Sequence, residues 1–299
     1  MTFLRYGAIA AALSPALTNC APVAVDHLPP IARALAAIET DSGGRLGVAL
    51  VDADGRLLLA SRPEERFALC STFKLLLAGM VLDGDAKGLW SLDDRIAISE
   101  ADIVYHSPAM RDHVSRGSVS MGDAAKAMVT VGDNAAANLL LRRTGGLQPF
   151  NKWLRQGGDT VTRLDRFETA LNENAAGDPR DTTTPQAMAR SAADLVLGDR
   201  LPPARRAALR EWLRASETGL SRIRAGLPRG YAAGDKTGTC GAEGRESYND
   251  VAFILPDHGG KSRGYLLAVY LDRPASGANR ASAHIADVAR VAARTMASE

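Results

Sequence analysis

The sequence predicts an α+β protein: an antiparallel sheet built from both chain ends, with an inserted helical domain. Three observations carry this. Strand-like apolar runs bounded by turn residues occur near the start of the chain and again near its end. Between them, from Ser71 to about Ala215, apolar residues recur at helical spacing. Strand and helix signals are segregated, whereas an α/β chain alternates them.

The elements follow in order. Ile31, Leu35 and Ile38 keep helical spacing behind Pro29-Pro30, and proline suits a first turn because its missing N–H has no partner there. Leu46–Val51 and Arg56–Ala60 flank Asp52-Ala53-Asp54-Gly55 and read as a hairpin. Helical patterns then run over Ser71–Val81, Asp123–Val129, Asp133–Leu141, Pro185–Leu197 and Pro203–Leu213. Strand patterns return at Gly234–Thr239, Val251–Leu255 and Gly264–Leu271, the last two separated by a Gly259-Gly260 turn. A helix carrying Ala281, Ile285, Val288, Val291 and Thr295 closes the chain. Arg163–Asp181 fits neither pattern, and a long irregular stretch inside a compact domain is usually functional or disordered. The expected organisation is a leader over 1–20, a sheet domain from 27–62 and 216–299, and a helical domain over 63–215 that includes the loop 163–181.

Composition narrows the function. With 299 residues, 46% hydrophobic and 23% charged, wholesale disorder is excluded. Lys and Arg number 36 against 34 Asp and Glu, a net +2, too balanced for a nucleic-acid partner. Aromatics at 5% also argue against a base-stacking platform. The histidines (His27, His106, His113, His258, His284) are scattered without metal-ligand spacing, and no glycine-rich phosphate loop follows a strand, so neither metal nor cofactor is expected. Met1–Arg5 carries the one early positive charge, and Tyr6–Thr18 is an alanine-rich run too short to span a bilayer. It reads as a signal peptide, with a frayed helix as the plain alternative. Leu17-Thr18-Asn19-Cys20 resembles a lipoprotein cleavage site, though Asn19 fits it poorly. If Cys20 leaves or carries lipid, Cys70 and Cys240 remain for an oxidising compartment to pair.

Three short motifs carry chemistry. Ser71-Thr72-Phe73-Lys74 opens an apolar run; three apart on a helix, the hydroxyl and amine are neighbours. A desolvated lysine can lose its proton and then take one from the serine, while a helix N-terminus favours the developing negative charge. The same residues also read as a capping serine beside a solvated lysine. Lys236-Thr237-Gly238, in a probable strand, offers a cation, a hydroxyl and close backbone approach to a substrate carboxylate. It reads equally as an edge lysine beside a strand-favouring threonine. Glu168-Thr169-Ala170-Leu171-Asn172 sets a carboxylate near an amide, a pair that can fix and activate a water. A polar surface loop is the alternative there. Arg166 and Asp181 are expected to pin the loop ends by an ion pair.

Together and in this order, these elements resemble a class A serine β-lactamase over essentially the whole mature chain. The resemblance includes Arg163-Leu164-Asp165-Arg166-Phe167-Glu168, Leu171-Asn172, Arg180-Asp181-Thr182 and Asp235-Lys236-Thr237-Gly238-Thr239-Cys240-Gly241. Ser-x-x-Lys with Lys-Thr-Gly is shared with penicillin-binding proteins, and the Glu168 loop separates the hydrolase from them. The resemblance implies that Ser71 attacks the lactam carbonyl with Lys74 in its proton network, and that Glu168 and Asn172 activate the deacylating water. It further implies an oxyanion hole from the backbone N–H groups of Ser71 and Thr239. Lys236, Thr237 and Thr239 would hold the substrate carboxylate, Arg222 would supply a further cation, and Asn134 would bind the amide side chain. The cleft would lie between the two domains. Small β-lactams are the expected partners of a periplasmic, monomeric enzyme, with Cys20 as a lipid-anchor position.

The chain also departs from the family. The Ser-Asp-Asn motif stands here as Gly132-Asp133-Asn134, removing a hydroxyl that would help protonate the lactam nitrogen. Hydrolysis is expected to survive because the other catalytic residues are retained. A slow penicillin-binding transpeptidase or carboxypeptidase, or an impaired β-lactam or peptidoglycan-fragment binder, are the rivals. Cys70 and Cys240 match the pairing of the class A carbapenemases, as does Thr239, so a disulfide and carbapenem substrates are expected. The segment from Gly241 to Tyr248 looks longer than in those enzymes. His106 falls where the family places an aromatic near substrate.

Overall fold

The computed structural model describes residues 29–256 and 264–299, so the leader, Cys20 and the Gly259-Gly260 turn lie outside the described residues. Helix α1 (Pro30–Ser42) starts as its prolines predict and leads into the hairpin of β1 (Arg45–Asp52) and β2 (Leu57–Ser61). The chain then leaves the sheet through β3 (Phe67–Ala68) and a 3-10 turn, Cys70–Thr72, that runs straight into α2 (Phe73–Ala86). The helical region continues with β4 (Arg95–Ala97), α3 (Met110–Val114), β5 (Ser118–Ser120), α4 (Met121–Thr130), α5 (Asn134–Arg143) and α6 (Leu147–Gln156). After the loop 163–181 come β6 (Thr182–Thr183), α7 (Pro185–Val196), α8 (Pro203–Arg214) and the short α9 (Ile223–Gly226). Strands β7 (Tyr231–Cys240), β8 (Ser247–Pro256) and β9 (Tyr265–Asp272) and helix α10 (Ala278–Met296) complete the fold.

The five-stranded sheet has the order β2-β1-β9-β8-β7, and its ladders are all antiparallel. The two chain ends meet where β1 pairs β9, from Arg45↔Asp272 to Asp52↔Tyr265. Strand side chains alternate between faces, so one strand feeds two cores. Leu46, Val48 and Leu50 pack with α1 and α10 through Leu35, Ile285 and Val288. Ala49 and Val51 join Phe253, Ala268 and Tyr270 on the opposite face, against the helical region through Met188 and Ala192 of α7. Each large apolar side chain so buried is worth about 1.5–3 kcal/mol. Within the helical region, α2 is buried from Phe73 to Gly84, so it is apolar nearly all round.

Several boundaries differ from the sequence reading. The helix predicted from Ser71 starts at Phe73, because Cys70–Thr72 is wound as a 3-10 turn. β8 begins at Ser247, four residues before the predicted Val251, since Ser247, Asn249 and Asp250 are buried polar residues that break the apolar pattern. α6, unassigned from sequence, buries Phe150, Trp153 and Leu154.

Candidate active site

Four pieces of chain meet at the N-terminal end of α2. Ser71 lies half-buried on the 3-10 turn, and one helical turn further Lys74 is fully buried. The Lys74 ammonium donates to the Gly132 carbonyl at 2.8 Å and to Asn134 Oδ1, and lies 3.0 Å from Glu168 Oε1. Burial pushes the Lys74 pKa below the ordinary lysine value, against the opposing pull of the Glu168 charge.

Strand β7 forms the opposite wall. A Cβ on Gly238 would stand 3.0 Å from the Leu69 carbonyl oxygen and 3.2 Å from the Ser71 nitrogen, so glycine lets the strand approach the nucleophile's backbone. Cys70 and Cys240 are joined by a disulfide with a Cα–Cα distance of 5.3 Å, which ties the two walls. Asn249 reinforces the seam by donating to the Ala68 carbonyl at 2.9 Å. Lys236 shares the inward face with Gly238 and is pushed down to about 7 by burial and by the charge of Lys74. Next along this edge strand, Thr237 meets Thr218 at 2.7 Å between hydroxyls. Arg222, expected from the resemblance to supply a further cation, is buried against the strand and reaches Thr239. Its guanidinium donates to the carbonyls of Gly238 and Asn249 at 3.0 and 2.6 Å and to Thr239 Oγ1 at 2.7 Å.

The loop 163–181 is the third piece. Its ends are pinned as expected: Arg166 Nε donates to Asp181 Oδ2 at 2.6 Å, and Asp181 Oδ1 accepts the N–H groups of Asp165 and Arg166. Asn172 Nδ2 donates to Glu168 Oε2 at 2.6 Å, while its Oδ1 has no hydrogen-bond partner among the described residues. Asn138 on α5 holds Glu168 by its main chain, donating to the carbonyl at 2.8 Å and accepting from the N–H at 2.9 Å. Sequence reasoning missed Asn138. Its only signal is a polar residue one turn after Asn134 on the same helix face.

The fourth piece joins residues 105–106 to 132–134. Asp133 caps α5 by accepting from Ala136 N, and its second oxygen holds the N–H groups of Ala109 and Met110. Asn134 donates from its backbone to the His106 carbonyl at 3.0 Å and from Nδ2 to the Tyr105 carbonyl at 2.9 Å. Its side chain therefore serves Lys74 and this loop. His106 bonds the Val131 carbonyl through Nε2 at 2.9 Å, and its neighbour Tyr105 is the ring turned outward, 86% exposed. Gly132 has a φ of 74°. A Cβ there would lie 3.6 Å from His106 Nε2 and 3.8 Å from Lys236 Nζ.

A half-buried serine beside a buried lysine and carboxylate, where helices meet the edge of the sheet, is the constellation of a serine hydrolase. Comparison with known proteins makes this specific. The model of the β-lactamase enzyme family matches residues 30–296. β-Lactamase L2 of Stenotrophomonas maltophilia is 38% identical over 300 residues, covering 98% of this chain and 97% of its own. β-Lactamase Toho-1 of Escherichia coli is 38% identical over 257 residues, 86% of each chain. The solved structure of the last common ancestor of Gram-negative bacteria class A β-lactamase superposes with a TM-score of 0.84 at 46% identity, covering 90% of this chain and all of that one. The chain belongs to the class A β-lactamases, enzymes that hydrolyse β-lactams.

Proposed function

We propose that hydrolysis proceeds through an acyl-enzyme on Ser71 that a Glu168-activated water cleaves. The observation that carries this is the buried chain of contacts from Lys74 Nζ to Glu168 Oε1 and from Glu168 Oε2 to Asn172 Nδ2, one helical turn from Ser71. In acylation Lys74, its pKa lowered by burial, takes the Ser71 proton as Oγ adds to the lactam carbonyl. The Ser71 and Thr239 N–H groups receive the developing oxyanion; losing one such donor costs about 3–4 kcal/mol. Lys236, Thr237 and Thr239 hold the substrate carboxylate, and Arg222 orients the Thr239 hydroxyl from behind. Asn134 contacts the acylamide, and His106 and Tyr105 line its approach. In deacylation, Asn172 Oδ1 and the Glu168 carboxylate hold one water; Glu168 takes its proton as the water attacks the ester, the bond to Ser71 Oγ breaks, and Lys74 returns a proton to that oxygen while Glu168 passes its own to solvent.

Gly132 takes the motif serine's position, so the lactam nitrogen draws its proton from Lys236, which regains one from solvent. The depressed pKa of Lys236 supports this, because at neutral pH the ammonium releases a proton readily. The disulfide and Thr239 support carbapenems as substrates. We extend the proposal to export of a monomer to the periplasm, with residues 1–20 as signal peptide and Cys20 as a lipid-anchor position.

The test is intact-protein mass against time with excess benzylpenicillin. A Ser71 adduct that decays as penicilloate accumulates is expected, along with a lasting adduct in Glu168→Gln and none in Ser71→Ala. A lasting adduct in the unsubstituted enzyme would mean a penicillin-binding role instead. Loss of carbapenem absorbance tests the second claim, and no turnover above the Ser71→Ala background would remove it.

A further inference from the structure

Glu168 and Asn172 are held by different parts of the molecule. Asn138 of the helical region grips Glu168, whereas the turn that carries Asn172 (the 3-10 turn Ala170–Glu173) is fastened to the sheet. The fastening begins where the Asn172 carbonyl accepts the Gly241 N–H at 2.9 Å, one residue past the disulfide. It continues at Asn174, which ends the turn in a left-handed conformation, φ 46°.

Asn174 reaches the ends of β8 and β9 with both side chain and backbone. Its Nδ2 donates to Ser247 Oγ at 2.7 Å, and Ser247 Oγ donates on to Asp272 Oδ1 at 2.6 Å. The Asn174 carbonyl accepts from Arg273 at 2.7 Å. Asp272 is itself anchored to Arg45 at 3.3 Å, so the chain of bonds ends in the central strands. Ser247 and Asp272 face each other in the β8–β9 register, which fixes the anchor as rigidly as the sheet itself. The next residues, Ala175 to Gly177, are exposed, with the Ala175 carbonyl accepting the Asp178 N–H at 3.2 Å.

We propose that Asn174 is a positioning residue for deacylation: its bonds to Ser247 and Arg273 set the Asn172 amide against the Glu168 carboxylate. This deepens the reading given above and rests on it. Without the staple, the turn that carries Asn172 keeps the Gly241 contact and its bonds within the loop, Leu171 N–H to the Phe167 carbonyl at 3.1 Å and Asn172 N–H to the Thr169 carbonyl at 3.0 Å, but loses its side-chain tie to the sheet. The acylation machinery on α2 and β7 makes none of these contacts. The staple therefore acts on the second chemical step alone.

The test uses the full-length enzyme carrying Asn174→Gly, which removes the amide but keeps a residue at ease at positive φ. Expected is a fall in deacylation rate of about tenfold to a hundredfold, the scale of small misplacements of reacting groups, with acylation within about twofold. The acyl adduct then accumulates in the mass time course. Ser247→Ala is expected to slow deacylation too, and the double variant to do no worse than the more affected single one. Equal slowing of both steps, or no change in either, overturns the proposal. Glu168→Gln is the control: if it fails to trap an adduct, the acyl-enzyme reading is at fault, whereas a trapped adduct with unaltered Asn174→Gly isolates the failure to the staple.

Discussion

Replacing Gly132 by serine restores the hydroxyl of the family motif, and the structure sets two opposing consequences. The backbone there has φ 74°, where a residue with a Cβ is strained by about 1–2 kcal/mol. Packing adds nothing to that cost, because the nearest atoms to the new Cβ, His106 Nε2 and Lys236 Nζ, lie at 3.6 and 3.8 Å, ordinary contact distances. Thermal unfolding should therefore fall by about 2–8 °C. The new hydroxyl, within reach of Lys236, gives the lactam nitrogen a second proton route. General acid assistance is typically worth about 10²–10⁴-fold, and because Lys236 already supplies part of it, acylation should rise by about tenfold. Differential scanning calorimetry reads the first effect, and quench-flow mass measurement of adduct formation on a Glu168→Gln background reads the second. An unchanged acylation rate would refute the idea that proton delivery is limited at Gly132. An unchanged melting temperature would refute the backbone argument.

Other outcomes follow from the same geometry. Asn138→Ala removes both main-chain clamps on Glu168 and leaves two buried backbone groups unpaired, at about 1–3 kcal/mol each. Its melting temperature should drop and its acyl-enzyme should live longer in the mass assay. Removing the Cys70–Cys240 bond, by reductant or by Cys70→Ala with Cys240→Ala, opens a loop of 170 residues and should cost up to about 5 kcal/mol in urea unfolding. A loss below about 1 kcal/mol would show that the bond barely constrains the unfolded chain. With Lys236 held down to about 7, kcat/KM for carboxylate-bearing substrates should fall as pH rises through that value, while a substrate esterified at the carboxylate should lose the dependence. The same lysine keeps its proton in the unfolded chain up to about pH 10.4, so its contribution to folding should grow between those two values, measurable by urea titration.

Much of this was legible in the sequence because apolar spacing survives wherever one face of an element is dry. The α10 pattern and the apolar halves of the strands are examples, and the α+β organisation followed from them. Legibility ended where polar residues are buried for a purpose. Ser247, Asn249 and Asp250 made the front of β8 look like loop, yet they fasten the loop 163–181, the nucleophile's turn and the N–H of Ile223. Two-residue strands such as Phe67–Ala68 carry no periodicity, and their pairing with Thr182–Thr183 is decided by tertiary contact. α6 did have a readable stripe in Phe150, Trp153 and Leu154, obscured by Pro149 and the polar residues around it. Ser71, Lys74, Glu168 and Lys236 were identifiable through motifs. Asn138 and Asn174 were not, because each acts on backbone or on a residue far along the chain. That Arg222 is buried against the Gly238 and Asn249 carbonyls was not legible either, for the related reason that charge says nothing about what packs over it.

The strand order has a consequence for how the enzyme is made. Ser71, Lys74, Glu168 and Lys236 all precede β9 in the chain, yet β9 is the strand that joins β1 to β8. A polypeptide emerging from N- to C-terminus holds every reacting group before it possesses the piece that unites the sheet. The Leu46↔Leu271 pairing closes a loop of more than two hundred residues, a late and entropically costly event. Antibiotic hydrolysis should therefore switch on only once the last tenth or so of the protein has been delivered, and truncated products should be inert although their chemistry is complete.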